Sequence, residues 1–76
     1  MSKLRTYREK AGLTQEQLGK RCGFLSPQSR VALYESGGRT PTLIVSRILV
    51  SALQASGVTC SLDDVFPPQQ EQLKTG

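Results

Sequence analysis

Gln28 and Ser29 are the residues whose types and position best suit contact with bases. They follow Ser26-Pro27, a dipeptide typical of a helix start. A serine hydroxyl can accept backbone N–H groups there, and proline at the first helical position loses no hydrogen bond. A glutamine amide can pair with N6 and N7 of adenine, which is worth about 1–3 kcal/mol of discrimination. If this helix lies in a groove of DNA, Gln28 and Ser29 are therefore placed to contact base edges.

Two further side chains extend this candidate base-reading surface along the same helix. Val31 and Tyr34 are spaced to face inward together, and Leu33 points the other way on a helical wheel. An outward leucine could pack on a thymine methyl group, although isolated exposed leucines are also common. Arg30 could reach a guanine or a phosphate, and both alternatives stay open.

Phosphate contacts are expected from residues that flank this helix. Thr14 is a good N-cap for the preceding helix, so Gln15 lies in its first turn. The N-terminus of a helix suits phosphate because its backbone N–H groups are free and its dipole end is positive. Arg39 and Thr40 follow the base-reading helix, and we expect them to position the DNA backbone rather than specify bases.

Two short helices, each with a start signal and a closing glycine, must position these side chains. The first runs from Thr14 to Gly23 and the second from Ser26 to Gly37. We expect Phe24 and Leu25, between them, to pack against the core. This layout is typical of a helix-turn-helix, whose second helix lies in the major groove of DNA.

The remaining start and stop signals predict three more helices, and no strand signal is present. They lie over residues 3–11 after the cap Ser2, from Pro41 to Gln54 or Ala55, and after the cap Ser61. We therefore expect an all-α compact bundle of about five short helices. The domain would cover 1–66, and the polar segment 67–76 would be a disordered tail.

Basic residues are concentrated in the half of the chain that carries the helix-turn-helix pattern. Residues 1–39 hold eight basic and three acidic residues, a net charge of +5, whereas residues 40–76 hold two and three, a net charge of −1. A surface that binds phosphates requires such an excess. Basic residues also commonly serve only to solvate a protein surface, so the charge distribution supports the other signals without standing alone.

Composition argues against several other classes of protein. The 76 residues include no histidine, no metal-ligand cluster and no phosphate-binding loop, so we expect no enzyme, cofactor or metal. No apolar run suits a signal peptide or a membrane span, which predicts a cytoplasmic protein without a membrane partner. Cys22 and Cys60 fit no disulfide framework and are expected to be reduced and partly buried.

An ordered set of short motifs runs through the chain. It consists of Arg8, Gly12, Leu13-Thr14-Gln15, Leu18, Gly23, Val31–Gly37, Arg39-Thr40-Pro41, Ala52-Leu53 and Leu62–Phe66. Together, over roughly residues 3–66, these motifs resemble the lambda-repressor-like, Cro-type (XRE) helix-turn-helix domains. The resemblance implies DNA binding, a phosphate-clamping role for Gln15, and a structural ion pair between Arg8 and Glu35.

The chain departs from the family pattern at two places. The segment from Gly23 to Gly37 is two residues longer than the common spacing, so Phe24-Leu25 lengthens the turn before the recognition helix. Ser46 stands where the family usually has a large aliphatic residue, which predicts an altered packing register for the fourth helix.

Domains of this kind commonly bind palindromic operators as dimers, which predicts a homodimer on double-stranded DNA. Ile44 and Ile48 lie at i, i+4 on the fourth helix and are candidates for the dimer interface, unless the altered register buries them. Val58 and Cys60 are further candidates. Since only about ten residues follow Phe66, we expect no effector domain or small-molecule ligand, and a phage-type repressor that acts by occupying its site. The alternative is an antitoxin-like module whose main partner is a toxin protein, with secondary DNA binding.

Overall fold

Five helices form the structure, a computed structural model that describes residues 2–67. They are α1 (Leu4–Lys10), α2 (Gln15–Cys22), α3 (Pro27–Ser36), α4 (Leu43–Ala55) and α5 (Leu62–Val65). No strand occurs within the described range, and the predicted all-α bundle is confirmed. The tail predicted over 67–76 lies, apart from Pro67, outside the described residues.

The helix-turn-helix pair begins and ends close to the predicted signals. The Thr14 hydroxyl accepts the N–H of Gln17, and the Gln17 side chain accepts the N–H of Thr14, which completes a capping box. Gly23 and Gly37 end the two helices with φ angles of 79° and 83°, a left-handed conformation that glycine adopts without strain. Local sequence therefore sets both ends of α2 and the end of α3.

The cap of α3 differs from the prediction in its chemistry. Ser26 is the N-cap and Pro27 the first helical residue, as predicted, but the Ser26 hydroxyl accepts no capping hydrogen bond. The physical reason is its backbone: ψ is 76° at Ser26, against 166° at the cap Thr14. Proline at the first position, rather than a hydroxyl cap, therefore marks this helix start.

The predicted starts of α1 and α4 are wrong by one or two residues. Lys3, not Ser2, is the N-cap of α1, although the Ser2 hydroxyl accepts the N–H of Leu4 at 3.0 Å. Pro41 precedes α4 instead of opening it, since Thr42 is the cap and its hydroxyl accepts the N–H of Val45 at 3.2 Å. The predicted cap Ser61 of α5 is confirmed by a capping box with Asp64.

One apolar core joins the helices. Its fully buried side chains are Leu4, Leu18, Val31, Leu49, Leu53 and Val65. Burial raises the pKa of the half-buried Cys22 to about 11, and burial together with the Asp64 charge raises the pKa of Cys60. Both thiols therefore stay protonated at neutral pH and act as small apolar groups.

The orientation of α4 corrects the predicted register. Ser46 is only 6% exposed and shares the inward face of α4 with Leu49, Val50 and Leu53. The serine thus lies in the core instead of rotating the helix away from it. Ile44 and Ile48 therefore lie on the outer face of α4, where Ile44 is 72% exposed. The alternative that an altered register buries them is wrong.

The two apolar residues of the longer turn between α2 and α3 lie in different environments. Phe24 is half-buried and meets Tyr34 edge to face, with ring centroids 6.1 Å apart. Leu25 is 99% exposed, which contradicts its predicted packing against the core. The extra length therefore projects Leu25 into solvent while Phe24 covers the end of the core.

Candidate nucleic-acid interface

The outer face of α3 presents three of the four predicted base-reading side chains together. Gln28, Ser29 and Leu33 are exposed, and Leu33 keeps 42% of its surface open to solvent. Helical spacing places the small residues Ala32 and Ser36 on the same side. A face built of small side chains with one amide and one leucine lets the helix axis approach a surface closely.

Arg30 lies apart from this face, on the flank of α3 that adjoins the turn. Its Nη2 donates to the Tyr34 hydroxyl at 2.7 Å, and its Nε donates to the same oxygen at 3.1 Å. The guanidinium carbon lies 4.5 Å from the centre of the Phe24 ring, a cation–π contact. These contacts hold the guanidinium against two aromatic rings, which argues against the predicted base-reading role of Arg30.

Arg8 and Glu35 form the ion pair that the resemblance implies. The Arg8 Nε donates to Glu35 Oε2, Nη2 donates to Oε1 at 3.3 Å, and Nη1 donates to the Leu13 carbonyl at 2.8 Å. The two side chains are only 12% and 6% exposed. This bidentate pair therefore ties α1, the start of α2 and the end of α3 into one unit.

Gln15 joins the same network. Its Nε2 donates one hydrogen to Glu35 Oε1 at 3.1 Å, and the amide retains a second N–H and its carbonyl oxygen for other partners. A shallow depression lined by Arg8, Thr14, Gln15, Glu16 and Gln28 joins the N-termini of α2 and α3. Gln15, a predicted phosphate contact, and Gln28, a predicted base contact, are thus neighbours on one surface.

Arg39 and Thr40 lie just beyond the C-terminal end of α3 and are exposed. The backbone N–H of Arg39 donates to the Leu33 carbonyl at 3.2 Å, so this segment is tied to the helix that would read bases. Among residues 2–67 the Arg39 guanidinium has no carboxylate within 4.0 Å. Its charge is therefore available to an anion.

Gly19 is a positioning residue that sequence reasoning missed. A Cβ atom at Gly19 would lie 2.5 Å from both Cα and Cβ of Pro27, and would also overlap the Pro27 carbonyl. Only glycine therefore allows α3 to start where it does against α2. The available signal was a glycine in the middle of a strong helix pattern, which often marks close packing.

The four candidates for a dimer interface do not form a single surface. Ile44 and Ile48 are exposed and line a shallow groove together with Arg21, Arg47, Ser51 and Ala52. Val58 is half-buried against the core. Cys60 is only 6% exposed, because its side chain fills the core, and this placement corrects its predicted availability to a second copy.

In the part of the chain that the structure describes, no helix has the length and apolar character needed to cross a membrane. No group of three or more histidine, cysteine or acidic residues among residues 2–67 could hold a metal ion.

Comparison with known families agrees with this geometry. A family model described as helix-turn-helix (HTH_3), which represents XRE-type, lambda repressor/Cro-like proteins, matches residues 4–58. No curated protein and no solved structure gave a significant match. The matched segment includes α1 to α4 and every side chain placed on the α3 face. The chain therefore belongs to the XRE-type helix-turn-helix family and is a DNA-binding transcriptional regulator.

Proposed function

We propose that this regulator is a small Cro-like repressor that binds a palindromic operator as a dimer, with α3 in the major groove. The observation that carries the proposal is the outer face of α3, where Gln28, Ser29 and Leu33 are exposed side by side. In a two-fold dimer, two such helices would read half-sites about 34 Å apart, one turn of the double helix. Occupancy of a promoter by the dimer would repress transcription.

Base reading is assigned to the α3 face without Arg30. Gln28, in the first turn of α3, would pair with adenine, and Ser29 would donate to or accept from a neighbouring base edge. Leu33, one turn further along, would pack on a thymine methyl group. These contacts predict one adenine and one thymine at fixed positions in each half-site.

Phosphate binding is assigned to Gln15, at the start of α2, and to Arg39 and Thr40, which follow the end of α3. Glu35 accepts one N–H of the Gln15 amide and thereby fixes the orientation of that amide. The second N–H would then donate to a phosphate oxygen. Arg39 contributes a charge without an acidic neighbour among the described residues. Phosphate contacts from these two segments would fix how α3 is oriented in the groove.

Selection from randomised DNA duplexes tests the proposal. We expect a palindromic consensus whose affinity falls steeply as salt rises, because phosphate contacts release counterions. Gln28→Ala should cost about 1–3 kcal/mol on the consensus and relax preference at one position per half-site. Arg39→Ala is the matched control: it should weaken all sequences alike and reduce the salt slope by about one. Weak binding without sequence preference would contradict the proposal.

The dimer is assigned to the outer face of α4. An exposed pair of isoleucines gains from burial against a second copy. Ile48→Asp should therefore abolish the dimer in sedimentation equilibrium, whereas the control Ile48→Val, which keeps an apolar side chain at this position, should retain it. Arg21 and Arg47 flank the groove, and a two-fold axis would bring like charges together. We therefore expect dimerisation to strengthen with salt, the opposite of DNA binding.

A wild-type chain that stays monomeric at high concentration and selects a single half-site would contradict the dimer. If the same protein then bound a toxin-class partner through Ile44 and Ile48, the antitoxin-like function would replace the repressor.

A further inference from the structure

A neighbouring side chain, and not its backbone conformation, explains the glycine at position 38. Its φ angle is not positive, unlike that of its neighbour Gly37. A Cβ atom at position 38 would lie 3.2 Å from Leu33 Cδ2 and 3.5 Å from Ser36 Oγ. The absence of a side chain at Gly38 therefore leaves the space that the end of the Leu33 side chain occupies.

Hydrogen bonds hold this part of the chain against Leu33. The Ser36 hydroxyl donates to the Leu33 carbonyl at 3.2 Å and accepts the N–H of Gly38 at 3.3 Å. The N–H of Arg39 donates to the same carbonyl at 3.2 Å. The turn over residues 36–39 is thus fixed to the residue whose side chain it touches.

We propose that Gly38 is a positioning residue that sets the direction of the Leu33 side chain and thereby the recognition of a thymine methyl group in the major groove. The inference rests on the proposed function, since it assigns to Gly38 a role in the base reading given to Leu33. Gly38 itself touches no base. Because position 38 has no side chain, Leu33 Cδ2 can lie over the turn that follows the C-terminal end of α3. The rest of the Leu33 side chain stays exposed.

The effect of an added methyl group follows from where the crowding lies. Leu33 Cδ2 is the end of a flexible side chain, so Gly38→Ala displaces the leucine by a few tenths of an ångström or into another rotamer, without moving the backbone. Alanine also suits a residue with negative φ, so the variant should fold as stably as the wild type. Gly38→Ala should therefore change base recognition without changing the free energy of unfolding.

The test uses the full chain and the duplex that wins the selection, with each thymine replaced in turn by deoxyuridine, which lacks only the methyl group. For the wild type we expect about a fourfold loss of affinity at one thymine per half-site, the value of one buried methyl group. Leu33→Ala should remove this discrimination. Gly38→Ala should reduce it to less than about twofold and have no further effect in the Leu33→Ala background.

Gly37→Ala is the matched control, since it adds the same methyl group one residue away. A Cβ at Gly37 meets no atom within 4 Å, but φ is +83° there, so this variant should lose stability and keep the thymine preference. In the free protein, the methyl carbon chemical shifts of Leu33 should change in Gly38→Ala and not in Gly37→Ala.

The outcomes separate the two proposals. A wild type that selects a palindrome and prefers thymine to uracil through Leu33, together with a Gly38→Ala variant of unchanged preference and unchanged Leu33 shifts, would overturn the role of Gly38 alone. A wild type that binds its selected site equally with thymine or uracil everywhere would overturn the role of Leu33, and that of Gly38 with it. Failure to select any site would overturn the proposed function itself.

Discussion

Replacing Glu35 by alanine is expected to lower the free energy of unfolding by about 3–5 kcal/mol. Alanine would leave the Arg8 guanidinium almost buried, with the Leu13 carbonyl as its remaining partner, since both of its contacts to the carboxylate would be lost. A domain of this size has about 5–10 kcal/mol of stability in all, so the variant should lose about a third of it or more, and its Tm should fall by more than about 10 °C. Urea denaturation followed by circular dichroism measures the change.

Two controls make this result specific. Glu35→Gln keeps the shape and an acceptor oxygen, so its loss should be smaller than that of alanine. Glu9→Ala removes an exposed carboxylate that pairs with Arg5, and it should change the stability by less than about 1 kcal/mol. An unfolding midpoint for Glu35→Ala equal to that of the wild type would refute the structural role of the pair.

The second large effect is expected at Gly19, where α2 and α3 meet. Helix propensity alone would make alanine more favourable than glycine by about 1 kcal/mol. The added Cβ would overlap backbone atoms of Pro27, so we expect the opposite sign, a loss of about 1–3 kcal/mol. Because α3 must move away from α2, affinity for the selected duplex should also fall about tenfold, the value of one lost base contact.

Lys20→Ala, at the exposed next position of α2, is the control and should leave stability within about 0.5 kcal/mol of the wild type. Thermal melting and a DNA titration of the two variants decide the matter. A Gly19→Ala protein more stable than the wild type would mean that the two helices are not held in close contact at this point.

Local signals were sufficient to predict the helices because capping and termination depend on a few adjacent residues. Thr14 and Ser61 cap as expected, and Gly23 and Gly37 end α2 and α3. The predicted starts of α1 and α4 are one or two residues too early, because Lys3 and Thr42 are the caps rather than the residues before them. Backbone conformation, which the sequence does not fix there, decides which residue is the cap.

Long-range packing limited the prediction of the interface. Arg30 could not be assigned from sequence, because the lengthened turn brings Phe24 beside a guanidinium that Tyr34 already holds. Ser46 suggested an altered register for α4 because the family usually has a large aliphatic residue there, yet the serine is buried on the inward face of the helix. The position of Arg30 and the burial of Ser46 both depend on contacts between residues that are distant in sequence, and local sequence patterns do not report such contacts.

The central claim, that α3 reads bases in the major groove through Gln28, is tested most directly by replacing each adenine of the selected duplex with 7-deazaadenine. This base pairs normally and lacks only the N7 acceptor in the major groove. If Gln28 pairs with adenine, the wild type loses affinity at one substituted adenine per half-site, and Gln28→Ala does not discriminate between the two duplexes. Equal binding of both duplexes by the wild type, or an equal loss for wild type and Gln28→Ala, would contradict this claim.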